Sequence, residues 1–183
     1  TRVFASGWLG MSEVGPEDAL AGIASELRSR GRRFALVGGL AVSLRAEVRF
    51  TRDVDVAIVS RADDDIEQLV FDLQVAGYVP VAVVEHQTLG RLATVRLQSP
   101  SGIVVDLLAA SSGIEAEIVE RATPFTFKEA GEILVARAEE LLAMKVLSMT
   151  ERRPQDRIDA TSLVLCNEHL DFEAVRDDLN RIT

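Results

Sequence analysis

The 183-residue chain holds one cysteine, two histidines and nine aromatic residues, only one of them Trp and one Tyr. A single cysteine, Cys166, excludes an intramolecular disulfide and a multi-cysteine zinc site and fits a reducing compartment. Within Leu163–Val164–Leu165–Cys166 it reads as a small buried hydrophobe. His86 and His169 stand far apart without ligand-like spacing to other donors, and no Ser-His-Asp or Cys-His set can be assembled. Trp8 and Tyr78 lack the basic, aromatic-interleaved surroundings that base stacking uses. No apolar run approaches the roughly 20 residues of a membrane span and no signal-peptide pattern opens the chain, so a cytoplasmic protein without a membrane partner is expected. Basic charge is the minority: 20 Lys and Arg face 29 Asp and Glu, for a net −9. That excludes broad, non-specific DNA binding, which depends on basic charge releasing counterions.

What is present suits one well-filled core, with 48% apolar residues. Residues 1–15 read as a loose arm or artificial leader, and 16–183 as a single domain. Pro16 opens a helix to about Gly31, and 33–37 reads as a strand closed by Gly38–Gly39. Leu40–Leu44 reads as a short helix, Asp53–Val59 as a strand, and Ser60 as the opening of a helix to about Ala76. Three strands follow, 79–84, 92–97 and 103–108, the last two as a hairpin around Pro100-Ser101-Gly102. Then come a short helix (114–121), two weak strands (123–128 and 132–135) and helices over 137–150, 155–168 and 172–181, the last capped by Asp171. The pattern is α/β (α+β): a mixed β-sheet flanked by helices, with a helical C-terminal part over about 137–183.

Asp53 and Asp55 leave the same face of their strand. Two readings stand: a solvated polar face, or a pair whose repulsion a hard divalent cation, Mg²⁺ or Mn²⁺, removes. Asp106 sits in the apolar run Ile103–Ala109, where an ionised side chain is costly unless paired or ligating. If its strand lies beside 53–59, three carboxylates converge. Gly38–Gly39, between strand and helix, is either a tight turn or a place where phosphate approaches the backbone and the positive helix start. Lys145 lies beside the stripe Leu142, Val146, Met149, read as the core-facing side of its helix, and either snorkels or reaches a phosphate. Asp156 and Asp159 share a helix face. Asp63, Asp64 and Asp65 read as helix-start charges.

These motifs together resemble the nucleotidyltransferase fold superfamily, and within it the AbiEii/AbiGii-like and MenT-like proteins of toxin–antitoxin and phage-defence systems. The resemblance spans about residues 33–160: Val37-Gly38-Gly39, Thr51-Arg52-Asp53-Val54-Asp55, Asp106, the helix from Glu140 to Lys145, and Arg152 to Asp159. One departure is Leu40, where many members carry Ser or Thr and a side-chain phosphate contact. The resemblance implies a metal-dependent nucleotidyltransferase that moves a nucleoside monophosphate from an NTP to a hydroxyl of tRNA, a protein or a small molecule, with a cognate toxin or antitoxin as partner. Asp53 and Asp55 would hold Mg²⁺ or Mn²⁺. Asp106 would share a metal and help activate the hydroxyl. Gly38 and Gly39 would cradle phosphate, Arg52 and Lys145 would face the leaving pyrophosphate, and Asp156, with Asp159 as neighbour or replacement, would complete the site. Two rivals are a non-catalytic binding protein of the same fold and an antibiotic-modifying nucleotidyltransferase. The charge distribution suits a focused phosphate site, because residues 28–52 hold seven arginines (28, 30, 32, 33, 45, 49, 52) against one acid, Glu47.

Overall fold

The structure is a computed structural model that describes residues 15–60, 62–85, 92–109 and 113–182. Trp8, His86 and nearly all of the expected N-terminal arm lie outside these residues. Helix α1 (Pro16–Ser29) is followed by β1 (Phe34–Val37), α2 (Gly38–Arg45), β2 (Asp53–Ile58) and α3 (Asp63–Val75). Next are β3 (Val79–Glu85), β4 (Leu92–Gln98), β5 (Val104–Leu108), α4 (Glu115–Arg121), β6 (Thr123–Phe127) and β7 (Gly131–Val135). Helices α5 (Ala138–Ser148), α6 (Pro154–Cys166) and α7 (Phe172–Ile182) complete the chain.

The strands form a seven-stranded mixed sheet in the order β3-β4-β5-β2-β1-β7-β6. β1 lies inside the sheet between β2 and β7, and all four of its residues are buried, which is why Phe-Ala-Leu-Val runs apolar without alternation. β2 alternates, with Val54, Val56 and Ile58 buried on one face and Asp53 and Asp55 half-buried on the other. β2 pairs antiparallel with β1 and parallel with β5, and β4 and β5 form the expected antiparallel hairpin.

Side-chain ion pairs fasten the helical C-terminal part. Arg121 of α4 reaches Asp178 of α7 at 3.1 Å, and Arg137 holds the fully buried Glu140 of α5 at 2.7 Å. Asp171 accepts the Glu173 and Ala174 backbone N–H groups at 3.0 and 3.1 Å, capping α7.

Four local readings are corrected. Helix α2 begins at Gly38, two residues before Leu40, so Gly38 and Gly39 form its first turn. Ser60 does not cap α3, because its hydroxyl donates to the Ala62 carbonyl instead. The buried face of α5 runs through Ala138, Leu141, Leu142 and Lys145, while Val146 and Met149 are 40% and 36% exposed. That face has the helical i, i+3, i+4, i+7 spacing, and a lysine at its C-terminal end is tolerated because α6 supplies its counter-charges. Cys166 is exposed, because the buried face of α6, made by Asp156, Asp159, Ala160 and Leu163, ends one turn before it.

Candidate active site

One transverse row of the sheet carries the polar chemistry. Val37 of β1 lies opposite Asp55, Asp55 opposite Asp106 of β5, and Asp106 opposite Arg96 of β4. Directly paired residues share a sheet face. The alternation Asp-Val-Asp in β2 and Thr-Val-Arg in β4 therefore becomes a polar ribbon. Thr94, Arg96, Asp106 and Asp55 line a cavity of about 540 Å³, closed on its other side by Met144, Lys145 and Ser148 of α5 and by Arg153.

Gly38 borders the row, and its residue type is dictated by it. Its φ is +63°, and a Cβ there would lie 1.8 Å from Asp55 Oδ2. At Gly39 a Cβ would lie 2.7 Å from both Arg49 Nη2 and Thr51 Oγ1. The Gly-Gly pair thus lets the start of α2 press against the carboxylate strand and the segment that leads into it.

Asp55 carries the strongest electrostatic signature. Burial foremost, then the negative charges of Asp53 and Asp106, push its carboxyl up to about 7, against smaller opposing effects of Lys145 and the Gly39 N–H. Asp53 accepts a hydrogen bond from Thr51 Oγ1 at 3.0 Å. Asp106 is buried and its two oxygens are both engaged: Arg96 Nε donates to Oδ1 at 2.8 Å and Nη2 to Oδ2 at 2.6 Å. This pairing raises the guanidinium pKa further.

A second charged cluster backs the cavity. Lys145 Nζ lies 2.8 Å from Asp156 Oδ1 and 2.8 Å from Asp159 Oδ2. Arg49 Nη2 donates to Asp159 Oδ2 at 2.8 Å and Gln155 donates to Oδ1 at 2.9 Å. Burial by itself would raise the Asp159 carboxyl, but hydrogen bonds from Arg49, Lys145 and Gln155 carry it below the usual range. Arg153 Nε stands 2.8 Å from Asp156 Oδ2, in charge contact without an aligned hydrogen bond.

The structure therefore brings Gly38, Asp55, Asp106 and Lys145 to one cavity, with Asp53 on the same face of β2, Gly39 buried beside it and Asp156 behind Lys145. Arg52 is exposed over the Phe50 ring, 5.7 Å from its centroid, and does not line the cavity. Nor does the basic segment converge there. Arg28 binds the Ala130 and Glu132 carbonyls, Arg30 and Arg32 pair with acids of α1 and α3, and Arg45 binds the Val135 and Ala136 carbonyls. The cations that do line the cavity are Lys145, Arg96 and Arg153. Arg96 was legible as a polar position in the alternation of β4 opposite Asp106. Arg153 falls within the Arg152 to Asp159 segment of the resemblance, which implies no role of its own for it.

The charge around Asp55 suits a hard divalent cation, which would offset the repulsion that adds to burial in holding its proton. Asp53 and Asp55 are the carboxylates available for one. Among the described residues no group of three or more His, Cys, Asp or Glu is arranged to hold a metal. Consistent with this, Asp106 gives both oxygens to Arg96.

Comparison with known proteins addresses the chain as a whole. The family model for the nucleotidyl transferase AbiEii toxin of type IV toxin–antitoxin systems matches residues 23–181. A search of curated proteins finds no match. Among solved structures, an antigenic nucleotidyltransferase-like protein from Paracoccidioides brasiliensis is similar at 19% identity, TM-score 0.52, covering 91% of this chain and 86% of that one. The lincosamide antibiotic adenylyltransferase LnuA, solved with lincomycin, is similar at 14% identity and TM-score 0.53, covering 81% and 96%. The antibiotic-resistance factor ANT(2'')-Ia is similar at 14% identity and TM-score 0.56, covering 90% and 89%. At these identities the likeness is one of fold.

Proposed function

Because the chain belongs to the AbiEii family of nucleotidyl transferase toxins, we propose that it moves a nucleoside monophosphate from an NTP to an acceptor hydroxyl at the Asp55–Asp106 row, with Mg²⁺ or Mn²⁺. The observation that carries this reading is the alignment of Asp55 with Asp106 beside a glycine whose Cβ would collide with Asp55.

Asp53 and Asp55 would hold the cation. When bound, it neutralises phosphate charge and polarises the reacting phosphoryl group. The Gly38–Gly39 backbone, with no Cβ to hold substrate off and at the positive end of α2, receives phosphate oxygens. Lys145 and Arg153 line the cavity and offset the charge that builds on the leaving pyrophosphate. Arg52 would have to leave the Phe50 ring to take part. Lys145 is fixed for its task by Asp156 and Asp159 of α6, each 2.8 Å from Nζ. Asp106 accepts the proton of the attacking hydroxyl as its oxygen bonds to the α-phosphorus and the bond to pyrophosphate breaks.

The test uses each NTP labelled in turn at the α- and γ-phosphate, with Mg²⁺ and three acceptor classes: total tRNA, protein, and a small polyhydroxylated antibiotic such as lincomycin or tobramycin. The α-label is expected on one acceptor class and the γ-label on none. Equal labelling by a folded Asp53→Asn/Asp55→Asn variant would overturn the assignment.

A further inference from the structure

The mechanism leaves one contact unexplained. Asp106, which must face the reacting groups, is closed off by a two-pronged pair with Arg96. The two residues are direct cross-strand partners, so the pair is built into sheet register and does not depend on a wandering surface side chain. The partners differ in burial: the Asp106 side chain is 8% exposed and the Arg96 side chain 47%. A buried carboxylate has the greater need of a partner. A half-exposed guanidinium can leave, because water solvates it once it moves.

We propose that Arg96 is a positioning residue that latches Asp106 in the unliganded protein and releases it on substrate entry, when Asp106 exchanges the guanidinium for the cation and Arg96 exchanges the carboxylate for a phosphate of the nucleotide. This rests on the functional reading above. The exchange leaves neither Arg96 nor Asp106 unpaired at either stage. Before substrate, Asp106 would add a third unneutralised carboxylate next to Asp53 and Asp55 if Arg96 were absent. After substrate, Arg96 faces the same cavity that the phosphates enter. The latch also accounts for the lack of a three-acid metal cluster among the described residues, because the third acid is turned to an arginine.

The experiment compares wild type, Arg96→Met and Arg96→Lys by calorimetric titration with Mn²⁺ alone, then with a non-hydrolysable NTP analogue at saturating Mn²⁺. The Nε–H signal of Arg96 is followed by nitrogen-15 NMR during titration of the wild type with Mg²⁺ and the analogue. Lysine keeps the charge but not the fork, so it frees one oxygen of Asp106. Both variants are expected to bind Mn²⁺ about fivefold tighter than wild type, the scale of an exposed charge pair, and to bind the analogue more weakly. The Arg96 Nε–H signal should shift on ligand addition. If Arg96→Lys binds Mn²⁺ like wild type, Arg96 acts by charge alone and the latch is overturned. Equal Mn²⁺ affinity in all three proteins, or an unmoved Nε–H signal, also overturns it and leaves the functional reading standing. Absence of Mn²⁺ and nucleotide binding in all three overturns the functional reading and the latch together.

Discussion

Asp55→Asn tests the electrostatics of the site without its chemistry. The Asp55 carboxyl is pushed up to about 7, whereas an unfolded chain has it at 3.8. The folded protein therefore binds the proton more tightly. Between pH 4 and pH 7 the native state carries more protons than the unfolded state, and stability falls as pH rises through this window. Three pH units correspond to about 4 kcal/mol of destabilisation above pH 7, at 1.36 kcal/mol per unit. Asparagine keeps the shape of Asp55 and its acceptor for the Gly39 N–H, and removes the charge. At pH 8 in EDTA the variant should be more stable than wild type by up to about 4 kcal/mol, which for a chain of this size is roughly 8–16 °C in Tm. The assay is a series of thermal melts from pH 4 to pH 9. The gap between variant and wild type should be near zero at pH 4, open through pH 5–7 and level off at pH 8. Shifts of other groups, such as Asp159, appear in both proteins and cancel. A gap that does not change with pH, or a variant less stable than wild type at pH 8, would refute the reasoning.

Gly38→Ala and Gly31→Ala share a left-handed φ, +63° and +65°, but only the first would press a Cβ on Asp55. Urea denaturation should show a loss of about 1 kcal/mol for Gly31→Ala and at least about twice that for Gly38→Ala; equal losses would mean that the collision is relieved without cost. Lys145→Met leaves Asp156 and Asp159 buried without their shared counter-charge, and should destabilise the fold by about 3 kcal/mol in the same assay. Asp159 titrates in the opposite sense to Asp55: with its carboxyl held low, its stabilisation is present above pH 4 and lost as pH falls through the folded value. Asp159→Asn should flatten that acid limb in melts between pH 2 and pH 5.

The sequence revealed the elements because their signals are local. The Asp-Val-Asp-Val alternation, the Pro100-Ser101-Gly102 break, Pro154 and the Asp171 cap all act within a few residues. Asp106 was identifiable by the cost of a carboxylate among apolar neighbours, and the parallel pairing of β5 with β2 placed it opposite Asp55. What escaped was set by tertiary partners. Lys145 is the last residue of the buried face of α5, and a pattern reading rotates the helix to avoid that. Its acceptance depends on Asp156 and Asp159, one helix away. The arginines of residues 28–52 look like a phosphate field when counted, yet most of them tie carbonyls and acids elsewhere in the fold. Arg96 showed only as a polar strand position until register put it across from Asp106.

In the proposed reaction nucleotide and cation meet at the Asp53–Asp55 edge. The most direct measurement is the anomalous-scattering map of a crystal soaked with Mn²⁺ and a non-hydrolysable NTP analogue. A manganese peak is expected in contact with the Asp53 and Asp55 carboxylates, with the triphosphate over Gly38–Gly39, near Lys145. A nucleotide bound instead in the second cavity, of about 520 Å³ between Arg45, Arg137 and His169, with no manganese at Asp53 and Asp55, would contradict it.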